Sequence, residues 1–226
     1  MSSHASVRPA FTPAYRVVLA LGGPVMAWGR LHVTGLDALP ADGPTLLVAD
    51  HDSYWDPIAI GVAARELRQV RALAKATLWK TRVTAAFMTG MGHIPVTRGV
   101  NNDEALATAV AELRAGACIG MFPEGTRSLG RVLRARSGVG RLAEAVPEAT
   151  VVCVRSIGTV DVVRVPHRPA IRVEFFRPRG GGLRPDESPT AFAQRLLDEL
   201  RESAPREIPG RRRTATRLRR RLEAGT

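Results

Sequence analysis

The feature that most constrains this chain is a regular succession of short β-branched apolar runs separated by stretches of helical periodicity. Residues 31–35, 45–49, 70–75, 93–97, 117–122, 150–157 and 171–176 have the length, flanking turns and β-branched content of strands. The clearest intervening segment is 103–115. Leu106, Val110 and Leu113 recur on one face, Asp103 and Glu104 occupy the first turn, and Gly116 follows the end. Strands that alternate with helices are joined by crossovers, and crossovers lay the helices on the faces of a parallel sheet. The predicted fold is therefore α/β, a mostly parallel central sheet covered by helices.

A chain of 226 residues, 45% hydrophobic and 24% charged, suits one such domain. The pattern divides it into an N-terminal apolar segment over 1–29, a main domain over 30–204 and a basic tail over 205–226. Residues 17–28 are uninterruptedly apolar but short of the roughly 20 that a spanning helix needs, and they contain Gly22-Gly23-Pro24. Such a segment either associates with a membrane at its interface or packs on the domain's own core. A signal peptide is the rival reading, with Arg8 and Arg16 ahead of the apolar stretch and Val25-Met26-Ala27 as cleavage site; Pro24 interrupts its apolar core and argues against it. Residues 177–189, rich in Gly, Pro and Arg, read as a loop, and 190–203 as an amphipathic helix.

Arg211-Arg212-Arg213 with Arg217, Arg219, Arg220 and Arg221 make the tail strongly basic. Lys+Arg number 33 against 21 Asp+Glu, a formal charge of +12 that draws the protein to anionic surfaces: a membrane leaflet, an acidic carrier protein or nucleic acid. Charge alone does not choose among them. Cys118 and Cys153 lie in separate apolar runs and read as core thiols, which argues against disulfides and metal ligation.

The stretch Asp50-His51-Asp52-Ser53-Tyr54-Trp55-Asp56-Pro57 follows one apolar run and precedes a helix predicted over 58–67, with Pro57 in its first turn. His51 thus stands in a loop at the carboxyl end of a strand, where open α/β sheets hold their chemistry. A neutral imidazole accepts a proton from an alcohol when a partner orients its ring. Asp56, five residues on, can be that partner only if the intervening chain turns, because positions five apart on a helix diverge. The alternative is that Asp56 caps the helix ahead of Pro57.

Downstream stand Gly92-His93-Ile94-Pro95-Val96-Thr97-Arg98-Gly99 and Phe122-Pro123-Glu124-Gly125-Thr126-Arg127-Ser128. With the His51 to Asp56 block they resemble, in order and spacing, the first three motifs of the glycerolipid acyltransferase family, whose best-known members are the lysophosphatidic acid acyltransferases. The resemblance extends over about residues 28–177. It implies that His51 is a general base oriented by Asp56, and that the acceptor hydroxyl attacks an acyl thioester directly, with no serine or cysteine nucleophile. It assigns Arg98, Glu124, Gly125, Thr126 and Arg127 to the acceptor's glycerol phosphate and Lys75 as a further cation; planar guanidinium groups suit a bidentate grip on phosphate. The oxyanion donor is left open, with the amide of Gly125 as one candidate because a glycine lets backbone approach a ligand closely.

No metal and no cofactor are implied beyond acyl-CoA or acyl carrier protein as co-substrate. The implied activity is acylation of 1-acylglycerol 3-phosphate to phosphatidic acid, peripheral or monotopic on the cytoplasmic face of the membrane. The implied partners are the lysophospholipid, the acyl donor and an anionic membrane surface, without nucleic acid. Two departures bear on this. Asp50 stands where the family usually has asparagine, a negative charge that raises the histidine's pKa or disfavours a phosphorylated acceptor; this keeps open a family member acting on a non-phosphorylated hydroxyl or amine. Residues 151–155 lack the proline usual in the fourth motif, which leaves donor type and acyl length open. A non-catalytic basic protein bound to membrane or nucleic acid through its tail is the remaining reading, and the joint presence of His51, Asp56, Glu124 and Arg127 counts against it.

Overall fold

A computed structural model describes residues 11–97 and 102–210. All seven predicted strands form, and they join one sheet: β1 His32–Thr34, β2 Thr45–Ala49, β3 Val70–Lys75, β4 Ile94–Val96, β5 Cys118–Met121, β6 Thr150–Ile157 and β7 Arg172–Phe176, in the order β1-β7-β6-β2-β5-β3-β4. β2 pairs in parallel with β5 and β6, and β3 with β5 and β4. β7 runs antiparallel to β6, with β1 parallel to β7. The reason is the connection: between β6 and β7 the chain forms only the 3-10 turn Thr159–Val163, with no helical crossover to carry it to the other end of the sheet.

The helices are α1 Pro13–Trp28, α2 Asp56–Ala63, α3 Arg82–Gly90, α4 Asp103–Arg114, α5 Gly138–Ala145 and α6 Pro189–Ser203. α2 begins at Asp56 and ends at Ala63, two residues earlier and four residues shorter at its end than the pattern predicts. α5 contains Gly138 and Gly140, poor helix formers that hide it from periodicity. Packing explains the second of these: a Cβ on Gly140 would lie 2.0 Å from the carbonyl oxygen of Pro189, so only glycine lets α5 meet the start of α6.

β2 is buried on both faces. Leu46 and Val48 pack with Leu113 of α4, Leu142 of α5 and Phe192 and Leu196 of α6. Leu47 and Ala49 face the opposite layer, with Met26 of α1 and Ala59 and Ile60 of α2. Each leucine or valine removed from water contributes roughly 1.5–3 kcal/mol, so the loop that leaves β2 starts from a rigid base. α1 continues through Pro24 and packs on α2 by Tyr15, Gly22 and Met26, while Val17 and Leu21 lie on its outer face, 48% and 71% exposed. Among the described residues no helix is long and apolar enough to cross a membrane.

The basic tail predicted from residue 205 does not leave the domain at once. Glu207 is buried; its carboxylate accepts the Gly158 N–H at 3.0 Å and its own N–H donates to Asp52 Oδ2 at 3.1 Å. Residues 205–210 thereby lie against the carboxyl ends of β2 and β6. The arginine cluster of 211–221 lies outside the described residues.

Candidate active site

The turn that joining His51 to Asp56 requires is present. Asp56 is the first residue of α2, and its carboxylate does not cap that helix. Instead the preceding loop wraps around it: Oδ2 accepts the N–H groups of Asp52 and Ser53, both at 2.7 Å, and meets His51 Nδ1 at 2.9 Å. Oδ1 accepts the hydroxyl of Thr159, which enters from the β6–β7 connection. Four donors thus converge on one buried carboxylate, and the tautomer that satisfies it carries the proton on Nδ1. Nε2 is left with no hydrogen-bond partner among the described residues. The ring stacks on Phe122, at the end of β5, with centroids 4.2 Å apart, and its side chain remains 16% exposed.

The third motif holds the His51 backbone from both sides. Glu124 Oε2 accepts the His51 N–H at 3.1 Å, and the Ser128 N–H donates to the His51 carbonyl at 2.8 Å. Glu124 is therefore not the acceptor-facing group that the family resemblance implies: it is 3% exposed and ion-paired at 2.7 Å with Arg201 of α6. Gly125 is corrected too. Its N–H closes a turn onto the Phe122 carbonyl at 2.9 Å, which leaves it unable to serve as the oxyanion donor. Its φ of +66° and the Arg136 side chain, 2.6 Å from where a Cβ would sit, are why the position is glycine.

Thr126 and Arg127 are half-buried on the same turn. The Arg127 guanidinium lies 3.7 Å over the Tyr54 ring, which ties the turn to the His51 loop, and no carboxylate among the described residues lies within ion-pair distance of it. Lys75 is exposed at the carboxyl end of β3, on the same edge of the sheet as the His51 loop. Arg98 lies outside the described residues. His93, the histidine of the second motif, is structural: burial holds its pKa down at about 4, and Nδ1 accepts the Ala72 N–H at 3.0 Å.

Behind the loop lies a buried charge network that sequence patterning did not single out. Arg201 makes a fork to Asp52, with Nη1 2.8 Å from Oδ2 and Nη2 2.9 Å from Oδ1, and reaches Asp50 Oδ2 at 3.6 Å. Asp52 also accepts the Ser128 hydroxyl. Asp50 holds the Ser156 N–H at 2.9 Å; burial pushes its carboxyl well above the ordinary range, Arg201 opposing and Asp52 and Asp56 reinforcing the shift. Burial likewise raises Glu124 against the pull of Arg201. Asp50 is fully buried, so the charge that departs from the family pattern faces Arg201 and the β6 backbone rather than the loop's open side.

A model of the family described as Acyltransferase matches residues 30–162, more than half of the chain. The chain belongs to the acyltransferase family. It is 28% identical over 115 residues to the 1-acyl-sn-glycerol-3-phosphate acyltransferase of Bacillus subtilis strain 168; the match covers 51% of this chain and spans about half, 54%, of that relative. The fold is similar to that of the crystal structure of the 1-acyl-sn-glycerophosphate (LPA) acyltransferase PlsC from Thermotoga maritima, with a TM-score of 0.61 at 18% identity over 84% of this chain and 78% of that one. Within this acyltransferase the first and third motif blocks form one unit at the carboxyl ends of β2 and β5, while residues 92–97 of the second lie on and around β4, beside β3.

The network has a measurable consequence. Burial raises the Glu207 carboxyl from 4.5 to about 7, with the Gly158 N–H opposing and Asp52, Asp161 and Asp56 reinforcing it. The folded state then holds this proton more tightly than the unfolded chain. Its contribution to stability is complete below pH 4.5 and is lost as pH rises through 7, a change of about 3 kcal/mol. Glu207→Gln keeps an acceptor for Gly158 and does not titrate. In urea unfolding it should match the wild type near pH 4.5 and exceed it at pH 8; an equal difference at both pH values would remove Glu207 from this role.

Proposed function

We propose that this acyltransferase moves a fatty acyl chain from acyl-CoA or acyl carrier protein to the free hydroxyl of 1-acylglycerol 3-phosphate, giving phosphatidic acid. The observation that carries the reading is the His51–Asp56 pair, with Nδ1 engaged and Nε2 open. Nε2 takes the acceptor's hydroxyl proton as the oxygen attacks the thioester carbonyl, and Asp56 stabilises the imidazolium. Collapse of the tetrahedral intermediate breaks the carbon–sulfur bond, and the imidazolium returns the proton to the departing thiolate. A covalent acyl-enzyme has no support here. Burial pushes the thiols of Cys118 and Cys153 up to about 12, and the hydroxyls of Ser53 and Ser128 donate to the Thr159 carbonyl and to Asp52.

Arg127, stacked beside the loop, suits an acceptor phosphate. Arg127→Ala should raise acceptor KM strongly with a smaller change in kcat and little change in donor KM; lysine should restore only part, because it lacks the fork. Mass spectrometry of products from several acceptors and donors tests the assignment. Efficient acylation of a non-phosphorylated alcohol or amine, with acceptor KM indifferent to Arg127, would replace it. That second reading drew its support from Asp50, which burial now turns away from the acceptor.

The same reading places the enzyme peripherally on the cytoplasmic face of the membrane. In the connections leaving β2, β3, β5 and β6 the carboxylates are Asp50, Asp52, Glu124 and Asp161, all buried. The exposed side chains there include apolar Leu78, Val132, Val163 and Val165 and basic Lys75, Arg131, Arg134 and Arg168. Over these four connections the rim is apolar and basic without an exposed acid, which suits an anionic leaflet, each basic residue contributing about 1 kcal/mol near the surface. The variant Val132→Asp/Val163→Asp/Val165→Asp should cosediment less with phosphatidylserine-containing vesicles while retaining turnover of a soluble short-chain thioester. Undiminished vesicle binding at low salt would assign the rim no membrane role.

A further inference from the structure

Arg201 lies in α6, outside the residues that the family model matches. Its side chain is 4% exposed, and two routes run from it to the catalytic imidazole. By the first, its fork fixes the Asp52 carboxylate, and the Asp52 N–H is one of the donors that hold Asp56 against His51 Nδ1. By the second, Nη2 pairs with Glu124 Oε2, the same oxygen that accepts the His51 N–H. Asp52 is the hub, since it also takes the Ser128 hydroxyl and the Glu207 N–H.

Docking of α6 does not explain this arrangement. Phe192, Leu196, Leu197 and Leu200 already bury the helix in the core, and a buried ion network rarely stabilises a fold more than apolar side chains of the same volume. What the guanidinium does is join two segments from different strands, the His51 loop after β2 and the Glu124 turn after β5, at fixed spacing.

We propose that Arg201 is a positioning residue: its bidentate fork, matched to the acidic residue at position 52, holds the general base and the Arg127-bearing turn in register for attack on the thioester. The assignment rests on the acyl-transfer chemistry proposed above. A planar fork carries it, because a point charge would leave the angle between the two segments free.

Three variants test it. Arg201→Lys keeps the charge and removes the fork. Arg201→Met removes both and leaves carboxylates unpaired in the interior, so it can fail by unfolding. Arg201→Met/Asp52→Asn/Glu124→Gln also removes the charges of the two carboxylates hydrogen-bonded to Arg201, leaves Asp50, whose carboxyl burial already pushes up, and keeps acceptors for the His51 and Glu207 amides. Expected in Arg201→Lys and in the triple variant are a folded protein by circular dichroism, a kcat lower by up to about a hundred-fold, as misplacement by an ångström can cause, and a donor KM close to wild type.

A readout independent of turnover is the 1H–15N spectrum of the histidine rings, with His51 assigned by His51→Gln. The wild type should show one Nδ1-protonated tautomer at His51, and both variants a mixture. Wild-type kcat with an unchanged ring spectrum in either folded variant would overturn the proposal. Should the wild type turn over none of the acceptors offered, the substrate reading fails, and the ring spectra still decide the role of Arg201: an unchanged tautomer overturns it.

Discussion

His51→Ala should turn over about a hundred- to ten-thousand-fold more slowly than the wild type while melting close to it, which is the usual contribution of a positioned general base. The two halves of this expectation come from different contacts. The ring's Nε2 is the only nitrogen of the pair open to an acceptor, so truncation removes the group that takes the proton. The fold is held elsewhere: Glu124 and Ser128 grip the His51 backbone, which alanine retains, and Asp56 keeps the amides of Asp52 and Ser53 and the Thr159 hydroxyl. Initial rates and a thermal melt check both parts. A near-normal rate with any acceptor would end the general-base assignment.

Asp56→Ala and Asp56→Asn should separate in an informative way. Alanine strips the acceptor from two buried N–H groups and a buried hydroxyl, and each donor left unsatisfied costs about 1–3 kcal/mol, so that variant should be both inactive and markedly less stable. Asparagine can turn its carbonyl oxygen toward Asp52, Ser53 and His51 and its NH2 toward the Thr159 oxygen. The His51 tautomer then survives and only the negative charge is lost. Asp56→Asn should therefore stay folded and lose kcat, with substrate KM values little changed, because the charge matters once the imidazolium forms. If Asp56→Asn were as unstable as Asp56→Ala, the four-donor geometry around the carboxylate would be wrong; if it kept full kcat, Asp56 would be structural alone.

The β-strands and the spacing of the three motif blocks were legible in the sequence because each depends on neighbours within a few residues: β-branched runs, a turn, a proline in a first helical turn. His51 and Asp56 are five positions apart, and the loop that unites them closes on itself. The sense of β7 was not legible, since it depends on whether residues 158–171 between β6 and β7 build a crossover, and they form a 3-10 turn instead. Nor was the division of labour among the motif residues. A glutamate in a Pro-Glu-Gly-Thr-Arg turn reads the same whether it meets substrate or backbone, and only its burial beside Arg201 made it a support for the His51 loop. Arg201 itself stands 149 residues from Asp52, in a helix whose charged residues suggest a solvent face. Local pattern determined the strands and the pairing of His51 with Asp56 proposed as catalytic; the packing of α6 against the sheet, which sets dielectric and distance for groups far apart in the chain, decided which charges are buried and what they hold in place.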